Sequence, residues 1–166
     1  SWMLQRFVRP QGATRRVFLH VAAIGSLRVY VNETAVVDCR DVAAGGPWML
    51  KPASADELNS IISGPPAAAA AAGQEPAQVS DLHTQVIACF EALSKSFLVF
   101  TALSNCFEIF EFEFVLGEDC RVPSLLSVSP GMRKLWNATC EGDSEPPLVS
   151  QMISSTLDAA VGPIFT

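Results

Sequence analysis

The side chains with the greatest capacity for chemistry in this sequence are carboxylates set into an alternating apolar run. Phe107 to Leu116 reads FEIFEFEFVL, so Glu111 and Glu113 fall on one face of a strand while Phe110, Phe112, Phe114 and Leu116 fall on the other. A carboxylate in that position can ligate a hard cation or pair with an arginine. Glu113 is the candidate metal ligand, and its simplest alternative is an ion pair with Arg16 or Arg28. His20 and Arg16 are the candidate catalytic side chains. His20, between Leu19 and Val21, is in such a setting more often a packed, hydrogen-bonded core histidine than a catalyst. Arg16 belongs to the one local basic cluster, Arg6, Arg9, Arg15 and Arg16, which with Arg28 could meet phosphate or an acidic protein tail.

No other constellation competes. The sequence contains no GxSxG, P-loop or HExxH, and its two histidines, His20 and His83, are far apart in the chain. Its five cysteines are odd in number, widely spaced and without a CxxC pair, which points to reduced thiols rather than a zinc site or a disulfide framework. A net charge of −6 argues against nucleic acid or an anionic membrane as partner, since both select clustered Lys and Arg. No signal-peptide pattern opens the chain and no apolar run is long enough to span a bilayer, so the expectation is a cytoplasmic or organelle-interior protein. The sequons at Asn32 and Asn137 are therefore discounted. The chain opens at Ser1 without an initiator Met, as a fragment or a processed chain would.

The elements that must position these groups follow from periodicity. The run from Cys106 to Met132 is a β-hairpin turning at Gly117-Glu118-Asp119. Trp2 to Val8 is a short strand, and Val17 to Ile24 and Leu27 to Val31 make a second hairpin across Gly25-Ser26, followed by Ala35 to Val37. Ala, Gly and Pro dominate from about 43 to 79, a low-complexity insertion expected on the surface. Inside it, Ser54 and Glu57 form a capping box for a short helix to Ile62. Leu82, Val86, Cys89, Phe90, Leu93 and Phe97 give Ser80 to Leu103 a helical stripe, capped by Ser80 or Asp81. After Met132 a polar loop leads to a last helix, Leu148 to about Ala160, with Leu148, Met152, Ile153 and Leu157 as its buried stripe. Hairpins mixed with two or three helices predict a single α+β domain, an antiparallel sheet packed by helices, over residues 1–166.

FEIFEFEFVLGEDCRVPSLLSVSPGM resembles the metal-binding hairpin of ATP-grasp ligases, specifically the tubulin-tyrosine ligase-like family. MLQRFVRP resembles that family's adenine-meeting segment, which implies Gln5, Arg6 and Phe7 as nucleotide contacts. RRVFLHVAAIGSLRVYV resembles its next paired strands and LVSQMISSTLDAAVGPIF its closing helix. The resemblance implies an ATP-grasp-like half-domain with degenerate catalytic motifs. Glu113 keeps the family's first acidic ligand, but Ser127 and Ser129 stand where its Glu and Asn hold Mg²⁺, and Phe18 and His20 where it has Asp and Arg. Neutral hydroxyls do not balance divalent ions against a triphosphate. The family's upstream lobe, with its phosphate-clamping Lys, has no counterpart here; Lys51 in PWMLKP follows the adenine-like segment rather than preceding it.

Three functions are thus expected in order. The first is a pseudo-ligase without cofactor, acting as a structural or protein-interaction module on microtubules or within a larger assembly. The second is an active, ATP- and Mg²⁺-dependent ligase adding amino acids to tubulin. The third is an inositol-phosphate kinase-like enzyme on the same scaffold, whose adenine and Lys segment QRFVRPQGATRRVF also resembles.

Overall fold

The computed structural model describes residues 14–25, 28–39, 49–63, 78–95, 106–116, 123–139 and 147–161. Its organising element is β1 (Thr14–Ile24), an eleven-residue strand whose described side chains from Val17 to Ile24 are all buried. Continuous apolar character on both faces requires cover on both faces, and the rest of the fold supplies it. On one side β1 pairs along its length with β5 (Phe107–Val115), from Arg16 opposite Val115 to Ile24 opposite Phe107. On the other it pairs with β2 (Arg28–Val31) near its end and β3 (Ala35–Cys39) near its start. With β4 (Met49–Ala53) beside β3 and β6 (Ser124–Pro130) beside β5, the order is β4-β3-β1-β5-β6, and β2 pairs β1 off that path. Every pairing is antiparallel.

Alternation then sorts the side chains. Val17, Leu19, Val21, Val37, Phe112 and Phe114 join one core with Leu58 of α1 (Ala55–Ser63) and Leu82, Val86 and Phe90 of α2 (Val79–Ser94). Phe90 meets the Phe110 ring nearly edge-on at 5.7 Å. On the opposite face Phe18 and Val36 pack with Leu135 of α3 (Arg133–Thr139) and with Val149 and Met152 of α4 (Pro147–Val161). The result is a three-layer α+β arrangement with four helices among the described residues, rather than two or three.

The strands of both expected hairpins pair antiparallel and the Ser54 capping box forms, while Ser26 and the turn at Gly117-Glu118-Asp119 lie outside the described residues. Glu57 N–H donates to Ser54 Oγ at 3.3 Å, and Glu57 Oε2 accepts from Ser54 N–H at 2.9 Å and from the Ser54 hydroxyl at 3.2 Å; those two bonds to the carboxylate hold the Glu57 carboxyl below its usual range. Four expectations need correction. The 43–79 insertion is not only surface chain, because β4 lies within the sheet and Leu58 in the core. The cap of α2 is Gln78 rather than Ser80 or Asp81; Asp81 instead accepts from Gln78 N–H at 2.8 Å, and the described helix ends at Ser94, with Phe97 to Leu103 outside the described residues. The polar loop after Met132 begins with helix α3. It starts beyond Gly131, whose φ of +93° suits glycine and whose N–H reaches Ile109 C=O at 2.7 Å. Finally, the described part of the α4 stripe is Val149, Met152, Ile153 and Thr156, with Leu157 exposed at 42% and the Leu148 side chain outside the described residues.

That last difference is measurable in urea. Met152→Ala should cost about 2–5 kcal/mol of stability as a core truncation. Leu157→Ser should stay within about 0.5 kcal/mol, as exposed positions do. The reverse ranking would restore the sequence-based stripe.

Candidate functional site

On the face covered by α3 and α4, four strands bring a polar row together. Arg16 enters from β1 and Asp38 from β3, directly across from it in the ladder. Glu113 comes from β5, opposite Phe18, and Ser127 from β6, opposite Glu113. The Arg16 guanidinium reaches both carboxylates: Nη2 lies 3.0 Å from Asp38 Oδ2, Nε donates to the same oxygen at 3.1 Å, and Nη1 donates to Glu113 Oε1 at 2.8 Å. Ser127 Oγ donates to the remaining Glu113 oxygen, Oε2, at 2.9 Å. Burial works against the charge on Arg16, but the hydrogen bonds and Coulombic attraction from Glu113 and Asp38 outweigh it, and its pKa is raised. The guanidinium also stands 5.6 Å from the centroid of the Phe18 ring, and Lys134 Nζ is 5.5 Å from the same ring.

One strand pair further along sits a second row. His20 Nε2 lies 3.3 Å from Glu111 Oε2, with the His20 side chain fully buried and Glu111 nearly so. The backbone N–H of Lys134 donates to that same oxygen at 2.7 Å, so one carboxylate on the sheet captures an N–H in the first turn of α3. With the proton on Nε2, His20 is the second donor, and its Nδ1 has no hydrogen-bond partner. Opposite His20 the β2–β3 strand is interrupted: Asn32 N–H donates to His20 C=O at 2.9 Å, and Thr34 N–H to Asn32 Oδ1 at 2.8 Å. The Asn32 amide also meets the Met152 thioether, which turns this sequon's acceptor nitrogen inward.

The sequence-based candidates therefore divide. Arg16, Glu113 and Ser127 converge, and Glu113 pairs with Arg16 rather than Arg28, which is exposed opposite Ile24 at the far end of β1. Ser129 is across from Glu111, one ladder step from Ser127. His20 joins Glu111, not Arg16, and Phe18 packs. Gln5, Arg6, Phe7 and Arg9 lie outside the described residues, and of Arg15 only the backbone is described. Lys51 is exposed on β4, away from this row. His83 is half-buried on α2, where burial pushes its pKa down. Cys39 and Cys89 are half-buried, and Cys106 is exposed; all three are free thiols, and burial pushes the Cys89 thiol up.

Sequence reasoning passed over three members. Asp38 was legible as an acid two residues beyond Val36, hence on the same face as Arg16. Glu111 was placed on the right face without a role. Lys134 carried no signal, because its bond to Glu111 is made by a backbone N–H. No protein-family model matches the chain, and no curated protein matches it either.

A double-mutant cycle tests the closure of the first row. Arg16→Ala with Glu113→Ala should give a coupling energy of about 1 kcal/mol by urea unfolding. Glu111→Ala should lower stability by about 2 kcal/mol, because it leaves a buried N–H and the His20 ring unpaired. Zero coupling in the first experiment would mean the two side chains are solvated independently.

Proposed function

We propose that this chain is a catalytically degenerate tubulin-tyrosine ligase-like domain of the ATP-grasp type, serving as a structural or protein-interaction module. The observation that carries the reading is the state of Glu113. Both its oxygens already have partners, the Arg16 guanidinium on one and the Ser127 hydroxyl on the other. A carboxylate so engaged must give up a charge-assisted bond before it can ligate Mg²⁺. The residues at the positions the resemblance assigns to metal and phosphate contacts do not fit Mg²⁺–ATP. Ser127 and Ser129 bring no charge, Phe18 brings an apolar ring, and His20 is buried against Glu111. The α+β architecture with an antiparallel sheet agrees with the reading at the level of fold class, which by itself does not fix function.

On this reading the domain binds no nucleotide, and its partner is a protein surface, with tubulin or a larger cytoskeletal assembly as the candidate that the resemblance supplies. Among the described residues no helix is long and apolar enough to cross a membrane.

Thermal unfolding with ATP and Mg²⁺, against ATP with EDTA, decides the nucleotide half. ATP at ten times its dissociation constant would add about 1.4 kcal/mol to the native state, or roughly 3–6 °C for a chain of this size. The expected result is no Mg²⁺-dependent rise. A rise abolished by Glu113→Ala would overturn the reading in favour of an active ligase or kinase. Saturable co-sedimentation with microtubules tests the partner, and its absence would remove tubulin.

A further inference from the structure

We propose that the outer edge of β6 and the N-terminal half of α2 form an acceptor for a short extended peptide of apolar and basic character, which adds to the sheet as one more strand. The proposal goes beyond the function above, since it uses neither the Arg16–Glu113 row nor a nucleotide.

β6 is the outermost strand on its side of the sheet among the described residues. The phase of its ladder is set by the bond from Gly131 N–H to Ile109 C=O, next to the Phe110–Pro130 pair. In an antiparallel ladder that makes Pro130 a non-hydrogen-bonded position, so Ser129 and Ser127 turn their peptide groups to β5 and Val128 turns its N–H and C=O outward. Val128 is 42% exposed, and its side chain is on the α2 face, across from Phe112. Leu126, in the bulge between Ser127 and Leu125, is 41% exposed. β6 carries no charged residue, unlike most exposed edges, which are protected by lysines or inward-pointing charges. Its protection lies at the two ends instead: the bulge at Leu126 and the missing N–H of Pro130 restrict pairing to a short segment.

Beside the strand runs an open groove of about 560 Å³, lined by Asp81, Thr84 and Gln85 of α2 and by Pro123, Ser124 and Leu125. Gln85 Nε2 donates to Pro123 C=O at 2.8 Å and fixes the helix at that distance from the strand. Strand edge and helix groove together are the geometry of peptide recognition by strand addition, where backbone bonds give affinity and the groove gives specificity.

Charge selects the occupant. Among the described residues that line the groove, Asp81 is the one ionised group. An acidic peptide is repelled by Asp81, and a second copy would bring together two chains of net charge −6 along edge strands that carry no charged residue. A peptide with alternating apolar residues and a Lys or Arg that reaches Asp81 fits both surfaces.

The test is an amide ¹H–¹⁵N titration of the full chain with the capped peptide Lys-Val-Thr-Val-Thr-Val at millimolar concentration, and with its Glu-for-Lys counterpart. Expected are shifts centred on Gln85, Leu125 and Val128 with the basic peptide, weakened about fivefold by Asp81→Asn and lost in both Val128→Pro and Val128→Lys. Val128→Lys keeps the test valid if the proline variant fails to fold, since the position is exposed. No shift, shifts elsewhere, equal binding of the Glu peptide, or concentration-dependent broadening of β6 without peptide, which would mean self-association, each overturns the proposal.

Discussion

The structure depends on the Arg16 guanidinium bridging two carboxylates that the sheet has drawn out of water. Asp38 and Glu113 lie on strands flanking β1, and the side chain of Asp38 is only 4% exposed. An ionised carboxylate at such a depth costs several kcal/mol unless it is paired and hydrogen-bonded. Arg16 can serve both because its planar fork presents several donors in fixed directions, two of them used on Asp38 and a third on Glu113. A lysine would bring one compact charge and could not span the same three contacts with that geometry. The register of β1 against β3 and β5 follows from this as much as from apolar packing, because a slip of one residue would bury Arg16 in the Phe112–Phe114 core and turn Val17 to the carboxylates.

Glu111 does for the α3 layer what Arg16 does for the sheet. Its one oxygen takes an N–H from the first turn of α3 and faces the His20 ring, so the short helix is tied to the strand that leads, through the hairpin, into it. A seven-residue helix has little intrinsic stability. Its position comes from Leu135 packing with Phe18 and Val36, and from that captured N–H.

This division explains what the sequence revealed. The alternation in FEIFEFEFV and the β-branched runs of β1 and β3 are period-two signals strong enough to place strands and faces, and the Ser54–Glu57 spacing is a local capping rule that needs no tertiary context. What escaped depended on tertiary contacts. Helix α3 has too few residues for a periodic signal and is held by a carboxylate from elsewhere in the chain. β4 has Pro52 as its fourth residue of five and sits in a stretch dominated by Ala, Gly and Pro, so composition masked it until β3 offered an edge. The α4 stripe slipped because hydrophobicity ranks Leu157 above Thr156, whereas the helix faces the sheet with Thr156 and leaves Leu157 outside. For the site, the face of Glu113 and one of its two possible arginine partners were legible. The second carboxylate on Arg16 was not considered, since Asp38 reads alone as the acid ending a strand.

The β5–β6 hairpin carries opposite kinds of chemistry on its two sides, and the ladder phase is what separates them. Residues whose peptide groups face β5, Ser127 and Ser129, send their side chains to the Glu113 and Glu111 side, where Ser127 completes a closed set of bonds. A site that acts on a substrate keeps preorganised donors or charges directed at atoms not yet present. In the Glu113 row both oxygens of the carboxylate already have donors, so a cation binding there must first break a bond between protein groups. Val128, one residue out of phase, turns its backbone outward and its side chain to the α2 face, and binding there breaks none. The face bearing the carboxylates thus has its Glu113 bonds closed, and the edge beside α2 has bonding capacity left over.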